Sequence, residues 1–189
     1  MSSTAEDLIH RHRYQVEDYY RMAETGILAP DARVELIDGE ILDMPPIGAG
    51  HASIVTDLQN LLIAAVAGRA IVRVQNPVRL DRSNEPQPDI ALVRPPSRQY
   101  RKRHPGPEEI LLLIEIADTS LRYDLDIKIP LYARFGILEV WLLDLASQTV
   151  TRFGQPDDAG YARVDRVDAP GRLPVPGTDG ASVDLTDLF

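Results

Sequence analysis

Apolar residues recur along this chain in two rhythms, and the switch between them outlines the fold. From Gln15 to Thr25, Val16, Tyr19, Tyr20 and Ala23 fall at i, i+3, i+4 and i+7. That spacing predicts an amphipathic helix, with Glu17 and Asp18 in its first turn and Gly26 closing it. Ile54, Val55, Leu58, Leu61, Leu62 and Ala65 predict a second helix over 51–67, ended by Gly68. Between the helices, Arg33–Ile37 and Glu40–Met44 flank Asp38-Gly39, a strong hairpin signal, and 45–50 reads as a loop. Glu35 alternates with Val34 and Leu36 and is expected to point away from their face of the strand.

Short apolar runs follow. Segments 70–75 and 78–80 read as strands parted by Asn76-Pro77, and 83–87 as a turn. Pro88-Asp89 opens the run Ile90–Val93, and after a proline-rich, basic loop over 94–108 the run Ile110–Ile114 delivers Glu115. Runs of this length predict strands buried on both faces. Asp118-Thr119-Ser120 then breaks the chain before a helix ending at Phe135-Gly136. Pro130 has no N–H to give, so the helix proper is expected to begin near Asp126, leaving Pro130 among the N–H groups that lack intrahelical partners. Leu138–Leu143 and Thr149–Phe153 predict a hairpin, and the turn-rich tail holds short strands near 161–166 and 182–185. Residues 1–13 read as a flexible N-terminus, and 14–189 as one domain with a core over 14–153 and a β-rich extension over 154–189.

Composition narrows the class. A chain of 189 residues, 44% hydrophobic and 26% charged, is of ordinary size and make-up for a globular domain with a sizeable core. It has no cysteine, which excludes disulfides and thiolate metal sites. The longest apolar run, Leu61–Ala67, is too short to span a bilayer, and the N-terminal residues show no apolar signal segment. A cytoplasmic protein with no membrane association is expected. The net charge of −9 opposes general nucleic-acid binding. Arg94, Arg98, Arg101, Lys102 and Arg103 nevertheless cluster in the loop between the two carboxylate-bearing runs. They are either a solvated loop or a contact to a nucleic-acid backbone.

The candidate chemistry lies between Pro88 and Tyr132. Adjacent strands can hold Asp89 and Glu115 close together, and a divalent cation relieves the repulsion of two such carboxylates. Lys128 can then face a phosphate, and the combination points to phosphodiester hydrolysis. Each part alone is common: Pro-Asp at turns, a Glu at a strand's rim, a helical Lys in solvent. Their order and spacing carry the argument.

The order of elements, with Glu35-Leu-Ile-Asp-Gly-Glu40, His51, Pro88-Asp89, Glu115-Ile116, Asp124-x-x-x-Lys128-x-x-x-Tyr132 and Gly136-Ile-Leu-Glu-Val-Trp141, resembles the Uma-type restriction endonuclease family of the PD-(D/E)XK nuclease superfamily, over roughly 14–153. The resemblance implies an α/β, restriction-endonuclease-like fold with a central mixed β-sheet flanked by helices. It also implies a metal-dependent endonuclease cutting DNA. Asp89, Glu115 and the backbone carbonyl of Ile116 would bind Mg²⁺ or Mn²⁺, with Glu35 completing or extending the shell, and Lys128 would position water or stabilise developing charge. One departure stands out: the superfamily's Glu-x-Lys would place its lysine at 117, which is Ala117 here, and the resemblance implies that Lys128 on the following helix takes that role. Asp124 either orients Lys128 or interacts with the helix dipole, and His51 is either a helix-start hydrogen-bonding residue or a phosphate contact. Tyr132 and Trp141 read as core or interface residues.

Two other readings stay open: a catalytically inactive nuclease-like binding or assembly module, and a metal-dependent phosphoesterase on small substrates. A homodimer is expected, because cutting both strands of a duplex takes two sites.

Overall fold

The computed structural model describes residues 12–29 and 31–189. The expected flexible N-terminus, apart from His12 and Arg13, therefore lies outside the described residues. The chain divides into two compact units, one built from the described part of 1–45 with Asp81–Glu85, the other from Pro46–Leu80 with Pro86–Phe189.

In the smaller unit, α1 (Val16–Glu24) starts at Gln15, whose N–H donates to the Asp18 carboxylate. β1 (Val34–Ile37) and β2 (Glu40–Asp43) form the expected antiparallel hairpin. Asp38 and Gly39 both take positive φ, 49° and 72°, the conformation that a tight two-residue turn requires. The segment 81–85 braces this hairpin: Glu85 N–H donates to Leu36 O, and Asn84 Oδ1 accepts from Asp38 N–H. Every residue of β1 is buried, so Glu35 is enclosed like its apolar neighbours rather than turned to solvent. Its charge helps to raise the pKa of the Tyr19 hydroxyl, after burial and the charge of Glu85.

The larger unit is a six-stranded sheet in the order β3-β4-β5-β6-β7-β8. Its strands are β3 (Ile71–Val74), β4 (Ile90–Val93), β5 (Ile110–Ala117), β6 (Glu139–Asp144), β7 (Thr149–Asp157) and β8 (Gly160–Val167). All neighbours pair antiparallel except β5 and β6, which run parallel. A parallel pair needs a crossover, and the helical run after β5 supplies it. β4 and β5 are buried on both faces, as their unbroken apolar runs require. Each such Leu or Ile contributes about 1.5–3 kcal/mol by leaving water. One face packs Ile90, Leu92, Leu112, Ile114 and Trp141 under α2 (Ala49–Val66). A small antiparallel pair, β9 (Arg172–Pro174) and β10 (Ser182–Asp184), joins the same core through Leu173 and Val183.

Three expectations are corrected. The strand expected over 78–80 is extended but belongs to no ladder. Val78 N–H donates to Pro86 O and Arg79 N–H to Pro105 O, and neither proline can return a bond. The sheet also continues beyond Phe153, since β7 runs to Asp157 and β8 pairs with it. The helix after β5 begins at Leu121 rather than near Asp126. It runs as α3 (Leu121–Tyr123), a π-helical turn (Asp124–Lys128) and α4 (Ile129–Arg134). In that wider turn Ile129 N–H reaches Asp124 O, five residues back. The wider turn absorbs the bond that Pro130 cannot make.

Candidate active site

β4 and β5 pair with Ile90 opposite Ile114, so the register carries Asp89 to the position opposite Glu115. The two therefore leave the sheet on the same face. Backbone hydrogen bonds lock their carboxylates to each other's strands. Ile116 N–H donates to Asp89 Oδ2 at 2.9 Å, and Asp89 N–H donates to Glu115 Oε2 at 3.4 Å.

Each carboxylate has further partners. His51, in the first turn of α2, places Nε2 3.0 Å from Asp89 Oδ2. An ionised carboxylate can only accept, so Nε2 carries the proton. Gln75, at the end of β3 with φ of 48°, reaches Asp89 Oδ1 through Nε2 at 3.5 Å. Its own N–H donates to Asp89 O at 2.9 Å.

Glu115 is buried at 2% exposure. Tyr132 donates its hydroxyl to Glu115 Oε1 at 2.5 Å, and Lys128 Nζ lies 3.3 Å from both carboxylate oxygens and 3.4 Å from Gln87 O. The displaced lysine thus reaches the carboxylate from the crossover helix. Asp124, Lys128 and Tyr132 are all buried. Asp124 accepts a 2.7 Å hydrogen bond from Ser120 Oγ. Burial raises the Glu115 pKa most. Lys128 opposes the shift, Asp124 and Asp89 add to it, Tyr132 opposes it, and the result is about 8.

Glu35 belongs to the smaller unit and keeps its place on β1. The basic loop of 94–103 is folded, with a 3₁₀ turn over Ser97–Arg101. Arg103 is bound to Glu109, and Arg94 Nε donates to Glu108 O. Arg98, Arg101 and Lys102 are exposed. Tyr132, placed by sequence in the core or an interface, is a buried partner of Glu115; the four-residue step from Lys128 is the signal that groups it with the site. Nothing in the sequence marks Gln75, because a lone Gln before Asn-Pro carries no motif. Trp141 is fully buried, with its indole N–H bonded to Glu139 Oε1 at 2.8 Å.

Among the described residues no group of three or more His, Asp and Glu is arranged to hold a metal ion. The carboxylates of Asp89 and Glu115 are the groups here that could hold a metal, and their donors are all oxygen, the kind that hard divalent cations take.

A mixed sheet with helices against it, presenting carboxylates from adjacent strands and a lysine from the crossover helix, defines a restriction-endonuclease-like α/β fold. The family model described as "Uma2: Putative restriction endonuclease" matches residues 16–186. The chain belongs to this family. A crystal structure of a nuclease from Anabaena variabilis, described as "putative" and as belonging to DUF820, has a similar fold. It covers 82% of this chain and 89% of its own at 21% identity and a TM-score of 0.63. No curated protein matches the chain. Among the described residues no helix is long and apolar enough to cross a membrane.

Proposed function

We propose that this protein is a divalent-metal-dependent endonuclease that hydrolyses phosphodiester bonds of DNA. The observation that supports it best is the meeting of Asp89, Glu115 and Lys128 on one face of β4 and β5. Asp89, Glu115 and the Ile116 carbonyl would hold Mg²⁺ or Mn²⁺. When bound, the cation supplies a Lewis acid that activates water and offsets charge on the phosphate oxygens. His51 and Ile116 N–H fix the Asp89 carboxylate, and Tyr132 fixes that of Glu115. Lys128 presents a compact ammonium to the charge that develops on the phosphate. Asp124 lies one turn before it, and its charge helps to raise the pKa of Glu115. Arg94, Arg98, Arg101, Lys102 and Arg103 contribute sequence-independent contacts to the DNA backbone.

One observation favours a nuclease-like binding module instead. Lys128 already sits within 3.3 Å of both Glu115 oxygens, where it competes with any cation. Incubation of supercoiled plasmid with Mg²⁺ or Mn²⁺ separates the two. Nicked or linear product that disappears with EDTA is expected, and intact plasmid under every metal condition favours the binding module.

A further inference from the structure

Arg73 lies on β3 two residues before Gln75, which follows the strand's last residue and reaches Asp89 Oδ1 at 3.5 Å. Val72 and Val74 pack against the core beneath α2, which turns Arg73 and Gln75 to the opposite face, that of Asp89 and Glu115. Arg73 pairs with Ala91, and one pair beyond Val74–Ile90 the same register sets Gln75 against Asp89. Arg73 thus stands a single pleat, roughly 6.6 Å, from the carboxylate row.

Its surroundings are unusual for a half-buried arginine. Among the described residues it forms no ion pair. Its Nη2 makes a 3.4 Å contact with Asn76 Oδ1, and Nε is buried without a hydrogen-bond partner. Burial lowers its pKa, and the Tyr100 hydroxyl opposes the shift. The Tyr100 ring lies 5.8 Å from Arg73 Cζ and 5.8 Å from Arg103 Cζ, while its hydroxyl is tied to Arg94 O at 2.7 Å. Arg103 has Glu109 as its counter-ion; Arg73 has none among the described residues. A guanidinium whose Nε is buried without a hydrogen-bond partner carries a cost that a bound ligand can offset. Its planar fork matches a phosphate.

We propose that Arg73 is a substrate-binding residue of this site, its guanidinium gripping a nucleic-acid phosphate next to the one that reaches Asp89 and Glu115, with Tyr100 holding the guanidinium in place. The assignment rests on the nuclease reading. The test is fluorescence anisotropy of a labelled DNA duplex with the full chain in Ca²⁺, titrated across a salt series. For Arg73→Gln the affinity falls about tenfold, and the slope of log K against log salt loses about one unit. Arg73→Lys keeps the slope and loses part of the affinity, because a point charge replaces the fork. Arg73→Met, which keeps the stem without the charge, replaces Arg73→Gln if circular dichroism shows that variant unfolded. Wild-type binding with an unchanged slope in the folded neutral variant overturns the Arg73 assignment alone. A wild type that binds no duplex overturns the nuclease reading together with it.

Discussion

Glu115 sits at 2% exposure among Asp89, Asp124 and the Lys128 ammonium, so its ionised form is held in a buried place against two other acids. Its folded-state pKa of about 8 lies above the ordinary 4.5. The folded chain therefore binds a proton there that the unfolded chain has already released. In the metal-free protein this group's contribution to stability is complete below about pH 4.5 and is lost as pH rises towards 8. Urea denaturation from pH 5 to 8 in EDTA should show falling stability, and Glu115→Gln should flatten that part of the profile. A profile that keeps its slope in Glu115→Gln would place the titration elsewhere. Tyr132 gives the buried carboxylate a short hydrogen bond, and Tyr132→Phe should cost about 1.5–3 kcal/mol, measured by the same denaturation. At this scale Asp89, Glu115 and Lys128 were legible because each stands in a motif. Tyr132 was visible only as a spacing, and Gln75 and Arg73 not at all. Their roles come from strand register, which no local pattern announces.

Among the elements, the crossover from β5 to β6 decides where the lysine goes. The π-helical turn over Asp124–Lys128 lets the helix run on through Pro130 while Lys128 stays buried against Glu115. Pro130→Ala restores the missing N–H and permits a regular turn, which would turn Lys128 away from Glu115. Cleavage should fall while the thermal midpoint holds or rises; cleavage at the wild-type rate would show that the turn does not place the lysine. Lys128→Ala, or Lys128→Met where more volume is needed, should lower cleavage on the order of 10²–10³-fold. Lys128→Arg should also be poor, since a fork does not replace a compact ammonium. Full activity in folded Lys128→Ala would assign charge stabilisation to another group. The periodic helices, the Asp38-Gly39 hairpin and the apolar strands of β4 and β5 were readable because local chemistry alone dictates them. The false strand at 78–80 and the early start at Leu121 were not. Both depend on which N–H groups a distant or later proline withholds.

For the whole molecule, the acidic balance of −9 sits beside a basic loop whose Arg98, Arg101 and Lys102 are exposed. Replacing these three by Gln should weaken duplex binding uniformly across sequences and flatten its salt dependence, with the fold unchanged by circular dichroism. The homodimer remains a proposal from the two-strand requirement of duplex cleavage. Trp141, read from the sequence as a core or interface residue, is buried within the chain's own sheet. Sedimentation decides it: a species of one chain's mass at micromolar concentration would leave nicking of single strands as the activity to seek.

The central claim is that Asp89 and Glu115 form a metal-dependent catalytic pair. The most direct test compares wild type with Asp89→Ala for plasmid cleavage in Mn²⁺ and for Mn²⁺ binding by calorimetry on the same folded samples. Loss of both in Asp89→Ala, with the near-ultraviolet dichroism retained, is the expected result. Cleavage by Asp89→Ala at the wild-type rate would contradict the account.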